Sequence, residues 1–380
     1  MPKLNVLTLI DRPSFSGGGE RLAAQVAMSL DPTRFERILC STRPAEGPVL
    51  DRELEDAGVE LLRLDRRSTL DLPAWRPLLS LLRERPVDVL HAHKFGSNLW
   101  GSLLGRLANV PVVVAHEHTW SFEGNAPRRL LDRAVVSRRA DVLIAVSRED
   151  RRKLIEVEGI PPERVRFVPN GIPAVPLVDR AEARRALGLD LTGPVVVAVC
   201  ELRPQKAVEV LVRAAALLQP ELRDLAVLVA GDGPERQALE RLIGETDAPV
   251  KLLGTRTDVP QLLGAADVAV LSSDFEGSPL SVMEYMAAAR PVVATAVGGV
   301  PDLVEDGVHG LLVPTRDEQA LAGALRSLVA DPERARALGE RGRERQQREF
   351  TLEAMVDRLE LLYESLYAAS VRGRARAEAP

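Results

Sequence analysis

Short runs of β-branched and apolar residues alternate with longer amphipathic stretches along this chain, and no other feature limits its fold so sharply. In the first half the runs fall at residues 5–10, 37–41, 60–64, 87–91, 112–115, 142–146 and 165–168. Helical patterns lie between them, notably at 21–30, 75–84 and 128–138. The second half repeats the scheme with runs at 195–200, 226–230, 250–253, 268–271 and 291–295. Within each run the apolar residues are mostly continuous rather than alternating, so both faces of the strand must be covered. That pattern implies parallel sheets sandwiched between helices. Aromatic residues make up only 3% of the chain, which leaves Leu, Val, Ile and Ala to fill the layers.

At 380 residues the chain is long for one hydrophobic core, and two domains are expected. The turn-rich segment Pro169-Asn170-Gly171-Ile172-Pro173 separates the two strand–helix series. We therefore expect an α/β fold of two doubly wound, Rossmann-like domains, 1–172 and 173–351, facing a central cleft. The tail is helical from 352 to 369, and residues 371–380 are expected to fray. Ligands of open α/β sheets bind beyond the carboxyl ends of the strands, so the informative residues are those just past each run.

The net charge of −5 argues against a dedicated nucleic-acid binder, which carries a basic excess. Cys40 and Cys200 sit far apart in apolar runs and read as reduced core thiols. The apolar opening of the chain is too short for a secretory signal, and no run reaches the roughly 18 apolar residues that span a bilayer. A cytoplasmic location is expected. The basic stretch Arg128, Arg129, Arg133, Arg138, Arg139, Arg148, Arg151, Arg152 and Lys153 reads first as a solvated face. Its functional alternative is peripheral docking on the anionic inner face of a membrane.

The densest chemical signal is the segment from Asp274 to Ala287. A strand ends, a loop presents Glu276 and Gly277, and Ser278-Pro279-Leu280 opens a helix that carries Glu284 about one and a half turns in. A helix opening offers free N–H groups and a favourable dipole to a diphosphate, while the two carboxylates can accept hydrogen bonds from sugar hydroxyls. Arg203 and Lys206, just after the strand at 195–200, supply cations of the kind a diphosphate needs. Gly231-Asp232-Gly233-Pro234 is a turn between strand and helix. Gly17, Gly18 and Gly19 come after the first strand and permit close backbone approach, but they lack the spacing of the dinucleotide fingerprint, which disfavours NAD. Four of the five histidines form the pairs His91/His93 and His116/His118 at strand ends. Alternation puts each pair on one face, but no Cys or carboxylate cluster completes a zinc set, and no metal site is expected.

The Glu276-x7-Glu284 spacing resembles the motif of family 4 retaining glycosyltransferases of the GT-B fold. The resemblance continues through Pro291-Val292-Val293-Ala294-Thr295, Gly298-Gly299-Val300-Pro301-Asp302 and Gly310-Leu311-Leu312-Val313-Pro314. It implies a nucleotide-sugar donor, UDP- or GDP-linked, and a carbohydrate, lipid-linked or small-molecule acceptor, with no metal and no cofactor. It places Glu276 at the donor sugar, Glu284 at the ribose hydroxyls, and Gly231 and Gly233 beside the base. A family histidine near the donor sugar falls on His116 or His118, with His118 preferred. The glycine loop borders phosphate and acceptor, and the closing helix, with Met355 and Tyr363, crosses back to the first domain. The chain departs from the family at Glu201, where Arg is common, and at Ala207, where Gly is common. A nucleotide-sugar 2-epimerase, which shares the two-domain fold, is a rival, and the departures favour a second rival, a catalytically degenerate sugar-nucleotide-binding protein. A phosphorylase would need a lysine-bound cofactor, and none of the five lysines has such a setting.

Overall fold

The structure, a computed structural model, describes residues 3–12, 18–44, 49–68, 71–119, 126–190 and 192–377. The chain divides into two compact units, Met1–Asn170 with Leu352–Pro380, and Gly171–Thr351. Each is a parallel sheet flanked by helices.

The first unit holds β1 (Leu4–Ile10), β2 (Phe35–Ser41), β3 (Glu60–Arg63), β4 (Val89–His93), β5 (Val112–Glu117), β6 (Val142–Ala145) and β7 (Val165–Phe167). Their order across the sheet is β3-β2-β1-β4-β5-β6-β7, all parallel. One face, with Leu7, Leu9, Leu90, Ala92 and Val113, joins a fully buried cluster with Leu78 and Leu154. On the other, Ile10 and Leu39 pack on Ala23, Ala24 and Ala27 of α1 (Gly18–Ser29). Helix α2 (Lys94–Leu107) comes directly after β4.

The second unit contains β8 (Val195–Val199), β9 (Ala226–Ala230), β10 (Val250–Leu252), β11 (Val268–Leu271), β12 (Val292–Thr295) and β13 (Gly310–Val313), in the order β10-β9-β8-β11-β12-β13. Odd and even strand positions again feed different layers. Val196, Val227, Val268 and Val270 pack with Leu211 and Ala215 of α3 (Val208–Leu218), while Val195, Val197, Ala269 and Leu271 pack with Met283 and Met286 of α4 (Leu280–Ala287). Fully burying each such Val, Leu or Met contributes roughly 1.5–3 kcal/mol.

In both sheets the strand order reverses next to the first strand of the unit, between β1 and β4 and between β8 and β11. Crossovers leave on opposite faces there, and a crevice opens beyond the carboxyl ends of those two strands.

Four details differ from the sequence-based expectation. The edge strand β13 is a strand the periodicity does not reveal, because it is only four residues long and starts at a glycine. The pattern at 128–138 is not one helix but a helix at Ala126–Leu131, a π-helical turn at Asp132–Val136 and a further turn at Ser137–Arg139. The wide turn carries the fully buried Asp132. Helix α5 (Leu352–Ala377) continues into the segment expected to fray as far as Ala377, a stretch rich in the strong helix formers Ala and Arg. Helix α4 begins at Leu280, with Pro279 rather than Ser278 in the capping position and no side-chain cap.

Candidate active site

The reversal point of the second unit collects most of the singled-out residues. Beyond β8 the chain makes a short turn, Pro204–Lys206, and beyond β11 it makes the loop that leads to α4. These two loops are stapled together. The Ser272 hydroxyl donates to the Lys206 carbonyl (2.9 Å), the Asp274 N–H donates to the Gln205 carbonyl (2.8 Å), and the Gln205 amide donates to the Phe275 carbonyl (2.7 Å).

The staples bring Lys206 Nζ to 2.5 Å from Glu276 Oε1, and the Ser273 hydroxyl donates to the same oxygen at 2.6 Å. Glu276 is 7% exposed and Lys206 20% at the side chain, so the pair is largely shielded from water. Loop register is also held from outside, because Arg316 forks onto Asp274 and reaches Glu209 on α3.

Gly298 has φ +51° and runs so close to this loop that a Cβ there would lie 1.6 Å from the Glu276 carbonyl oxygen. Gly277 and Ser278 are buried, Leu280 is half-buried, and Glu284 is half-buried on α4. Helix α4 is anchored to β8 by Tyr285, whose hydroxyl accepts the Val199 N–H at 2.7 Å.

Arg203 does not join this pair. Its guanidinium is 59% exposed at the side chain and lies 2.7 Å from Glu201, the residue that stands where the family commonly has Arg. The second departure, Ala207, adopts left-handed backbone (φ +45°, ψ +41°) between the turn and α3. That conformation disfavours a Cβ by roughly 1–2 kcal/mol, which is the physical reason a glycine suits the position. Gly231 and Gly233 border the same turn from β9: a Cβ at Gly231 would meet the Cys200 carbonyl, and one at Gly233 the Leu202 carbonyl.

At the reversal point of the first unit the residues are of another kind. His93 on β4 pairs in register with His116 on β5, so alternation gathers His91, His93, His116 and, one step past the strand, His118 on one face. The strands run further than the apolar runs alone suggest, which makes His93 and His116 sheet residues, as His91 already is.

Their rings form a pile with centroids 4.1–5.2 Å apart. His91 Nε2 lies 3.2 Å from His116 Nδ1, and His93 Nδ1 lies 3.0 Å from His118 Nε2. Burial drives all four below the ordinary imidazole range, His116 to about 3. For His91, His93 and His118 the charges of neighbouring rings add to the effect. The cluster is neutral at physiological pH.

Nitrogens of His91, His93 and His116 all lie within 4.8 Å of one another, the one grouping of metal-ligating type among the described residues. Gly18 opens α1. Gly19 packs on His118, where a Cβ would stand 3.0 Å from the ring. Gly17 falls outside the described residues. Glu20, one position on, pairs with Lys94 at 3.1 Å.

The other face of β5 carries Glu117, buried with Asp132. Burial, and then the charge of Asp132, push its carboxyl up to about 8. Asn98 of α2 ties the two faces: its carbonyl oxygen accepts the His116 N–H, and its amide donates to the His116 carbonyl and to Glu117. Sequence reasoning finds neither Asn98 nor Gln205, Arg316 and Tyr285, because each acts through a contact between distant segments, and it passes over Ser273, whose contact with Glu276 within one loop depends on the loop's fold.

Two parallel Rossmann-like sheets with residues gathered at both reversal points define a two-domain α/β enzyme of the GT-B type. The comparisons with known proteins agree. Residues 179–345 match the model described as "Glycosyl transferases group 1", and residues 16–174 match "Glycosyltransferase Family 4".

The α-maltose-1-phosphate synthase of Mycolicibacterium smegmatis is 35% identical over 314 residues, which cover 74% of this chain and 79% of that protein. The D-inositol 3-phosphate glycosyltransferase of Kribbella flavida is 34% identical over 278 residues, 66% of this chain and 65% of that one. Among solved structures, Anabaena Alr3699/HepE in complex with UDP superposes with a TM-score of 0.82 at 22% identity, covering 96% of this chain and 100% of that one. Sucrose-phosphate synthase from Thermosynechococcus elongatus gives 0.80 at 24%, covering 97% and 100%.

The chain belongs to glycosyltransferase family 4. It is a glycosyltransferase. No described helix is long and apolar enough to cross a membrane.

Proposed function

We propose that the protein is a retaining, metal-independent glycosyltransferase that moves a sugar from a nucleoside diphosphate, UDP or GDP, to a glycan, lipid-linked or small-molecule acceptor. The observation that carries this reading is the Lys206–Glu276 pair held by stapled loops at the opening of α4. Anabaena Alr3699/HepE, which shares the fold, has also been solved in complex with UDP-glucose, which agrees with a donor of this class.

In this reading the second unit, from 173 to 351, binds the donor. Its diphosphate lies among Lys206, the N–H groups at the start of α4 and Arg203, once Arg203 swings away from Glu201. Fixed cations and amides then offset the leaving-group charge, in place of a metal. Among the described residues both hydrogen bonds to the Glu276 carboxylate fall on Oε1, so Oε2 takes a hydroxyl of the donor sugar. Glu284 holds the ribose, and Gly231 and Gly233 allow the base to approach. The acceptor side belongs to the first unit, near Gly17–Gly19, His116 and His118. The acceptor oxygen attacks the anomeric carbon on the face the phosphate leaves, its proton passing to that phosphate, which retains configuration without a covalent intermediate. No cofactor enters this reading.

Thermal stability with UDP, GDP, ADP, dTDP and NAD added separately tests it. A ligand at 100 times its dissociation constant stabilises the fold by about 2.7 kcal/mol. One sugar-carrying nucleotide should shift the melting temperature, insensitive to EDTA, and Glu284→Ala should abolish the shift. No shift, or one with NAD alone, would remove the proposal.

Peripheral membrane contact is a further part of it. Leu130 and Leu131 are exposed beside Arg128 and Arg129, an apolar and basic combination suited to an anionic surface. Binding to phosphatidylglycerol vesicles should fall as salt rises; binding that ignores salt would exclude this contact.

A further inference from the structure

The hydrogen bonds of the histidine pile do not end within it. Tyr363, on α5, is fully buried, and its ring stands edge-on to Phe35 and to His91. Its hydroxyl oxygen lies 2.6 Å from His91 Nδ1. On the far side of the same ring, His91 Nε2 faces His116 Nδ1 at 3.2 Å, and beyond that His116 Nε2 is buried with no partner among the described residues. The three side chains form one line, hydroxyl to imidazole to imidazole.

A line of this kind has only two proton arrangements, because a neutral imidazole carries one N–H and one lone pair. In the first, the phenol donates to His91 Nδ1, His91 donates from Nε2 to His116 Nδ1, and the proton of His116 sits on Nε2. In the second every proton is reversed, and the phenol accepts from His91. The phenol would then have to place its own proton elsewhere, yet the hydrogen bond to His91 is the one its hydroxyl makes among the described residues. A buried O–H without an acceptor loses the whole worth of a hydrogen bond. The first arrangement leaves one group unpaired, the His116 Nε2–H, whereas the second leaves two, the phenol O–H and the bare His116 Nε2.

We propose that Tyr363 is a positioning residue that fixes His116, through His91, as the Nε2–H tautomer, so that His116 meets its ligand as a hydrogen-bond donor and not as a base. The atom that completes it is an oxygen acceptor, a sugar hydroxyl or a phosphate oxygen. That last step rests on the glycosyltransferase reading, whereas the tautomer does not. His93 and His118 form a second, separate pair whose polarity the phenol does not set.

The test is imidazole 15N NMR on the full chain labelled at histidine, with each of the five histidines assigned by single substitution. The unliganded protein should show His116 with a protonated Nε2 and a bare Nδ1, and His91 likewise. A bare Nε2 on His116 would overturn the proposal, and this measurement is made on the wild-type chain and needs no activity. In Tyr363→Phe the bias of roughly tenfold that one such hydrogen bond supplies should disappear. His91 and His116 should then show both tautomers in comparable amounts, while His93 and His118 keep their wild-type signals. An unchanged His116 signature in a folded Tyr363→Phe protein would show that the phenol does not set it. Because the readout is spectroscopic, it stands or falls apart from whether a nucleotide sugar binds.

Discussion

The two reversal points share a topology and have opposite chemistry. Beyond β8 and β11 the side chains are ions: Lys206 against Glu276, Arg203 against Glu201, Arg316 against Asp274. At the ends of β4 and β5 they are neutral imidazoles, buried except for the half-buried His118 and tied nitrogen to nitrogen, with the ion pair Lys94–Glu20 beside them. The ionic end is held by loop backbones stapled to one another; the neutral end is held by sheet register and by a tyrosine. A site that must compensate a diphosphate needs fixed charge. A site that only orients hydroxyls and excludes water is better served by neutral groups in a dry pile.

The sharpest way to break the contrast is Gly298→Ala. With a Cβ placed 1.6 Å from the Glu276 carbonyl oxygen, the ionic end has to shift, and a loss of roughly 3–4 kcal/mol is expected in urea denaturation. Gly19→Ala, its counterpart against His118, meets only a side chain that can tilt, and should cost less than about 1 kcal/mol. Equal losses would remove the claim that backbone holds one end and side chains the other.

Next in size is Lys206→Met, which strands Glu276 in a mostly dry setting and should cost about 2–3 kcal/mol, less than a fully buried pair because Lys206 is partly wet. Adding Glu276→Gln should recover part of the loss. Lys94→Met at the other end, whose lysine is 41% exposed, should change stability by under about 1 kcal/mol.

The pH response separates the two faces of the sheet at the neutral end. The histidines are depressed, so their contribution is complete above the ordinary value near 6.5 and is lost as pH falls towards the folded value, about 3 for His116. Glu117 is raised, so its contribution is complete below about 4.5 and is lost as pH rises through 8. Melting temperature measured from pH 4 to 9 should therefore fall on both sides. Glu117→Gln should flatten the alkaline side only, by a few degrees.

The smallest effect is expected of Ala207→Gly, which relieves left-handed strain beside the ionic end and should raise stability by less than about 1 kcal/mol. A loss there would mean that the buried methyl group outweighs the strain.

Much of this is legible in the sequence, for identifiable reasons. Twelve of the thirteen strands overlap the twelve runs read from the sequence. The thirteenth, β13, is recognisable as a motif but not as a strand. Glu276 and Lys206 each stand out by their place just past the end of a strand; that they touch is a fact of the β8–β11 adjacency, which no linear spacing carries. The partner of Arg203 is hidden for a different reason. The departure at Glu201 is visible in the chain, but its consequence, an arginine already engaged, exists only in the folded loop. The histidines read as two pairs because alternation works within a strand. Their fusion into one pile depends on the register His93↔His116, which is set across the sheet. Tyr363 lies beyond local reasoning altogether, 272 residues from the ring it touches.

That separation has a consequence for biogenesis. Gly171–Thr351 is contiguous, so the second unit has all its strands as soon as that stretch leaves the ribosome. The first unit, although translated earlier, must wait for α5 before its sheet is capped, before Arg34 finds Glu360 and before His91 finds Tyr363. Until the whole of Gly171–Thr351 has been synthesised it remains an unfinished module with a vacant helix seat, a phase in which nascent chains are exposed to chaperones and to mispairing. The unit made first is the unit completed last.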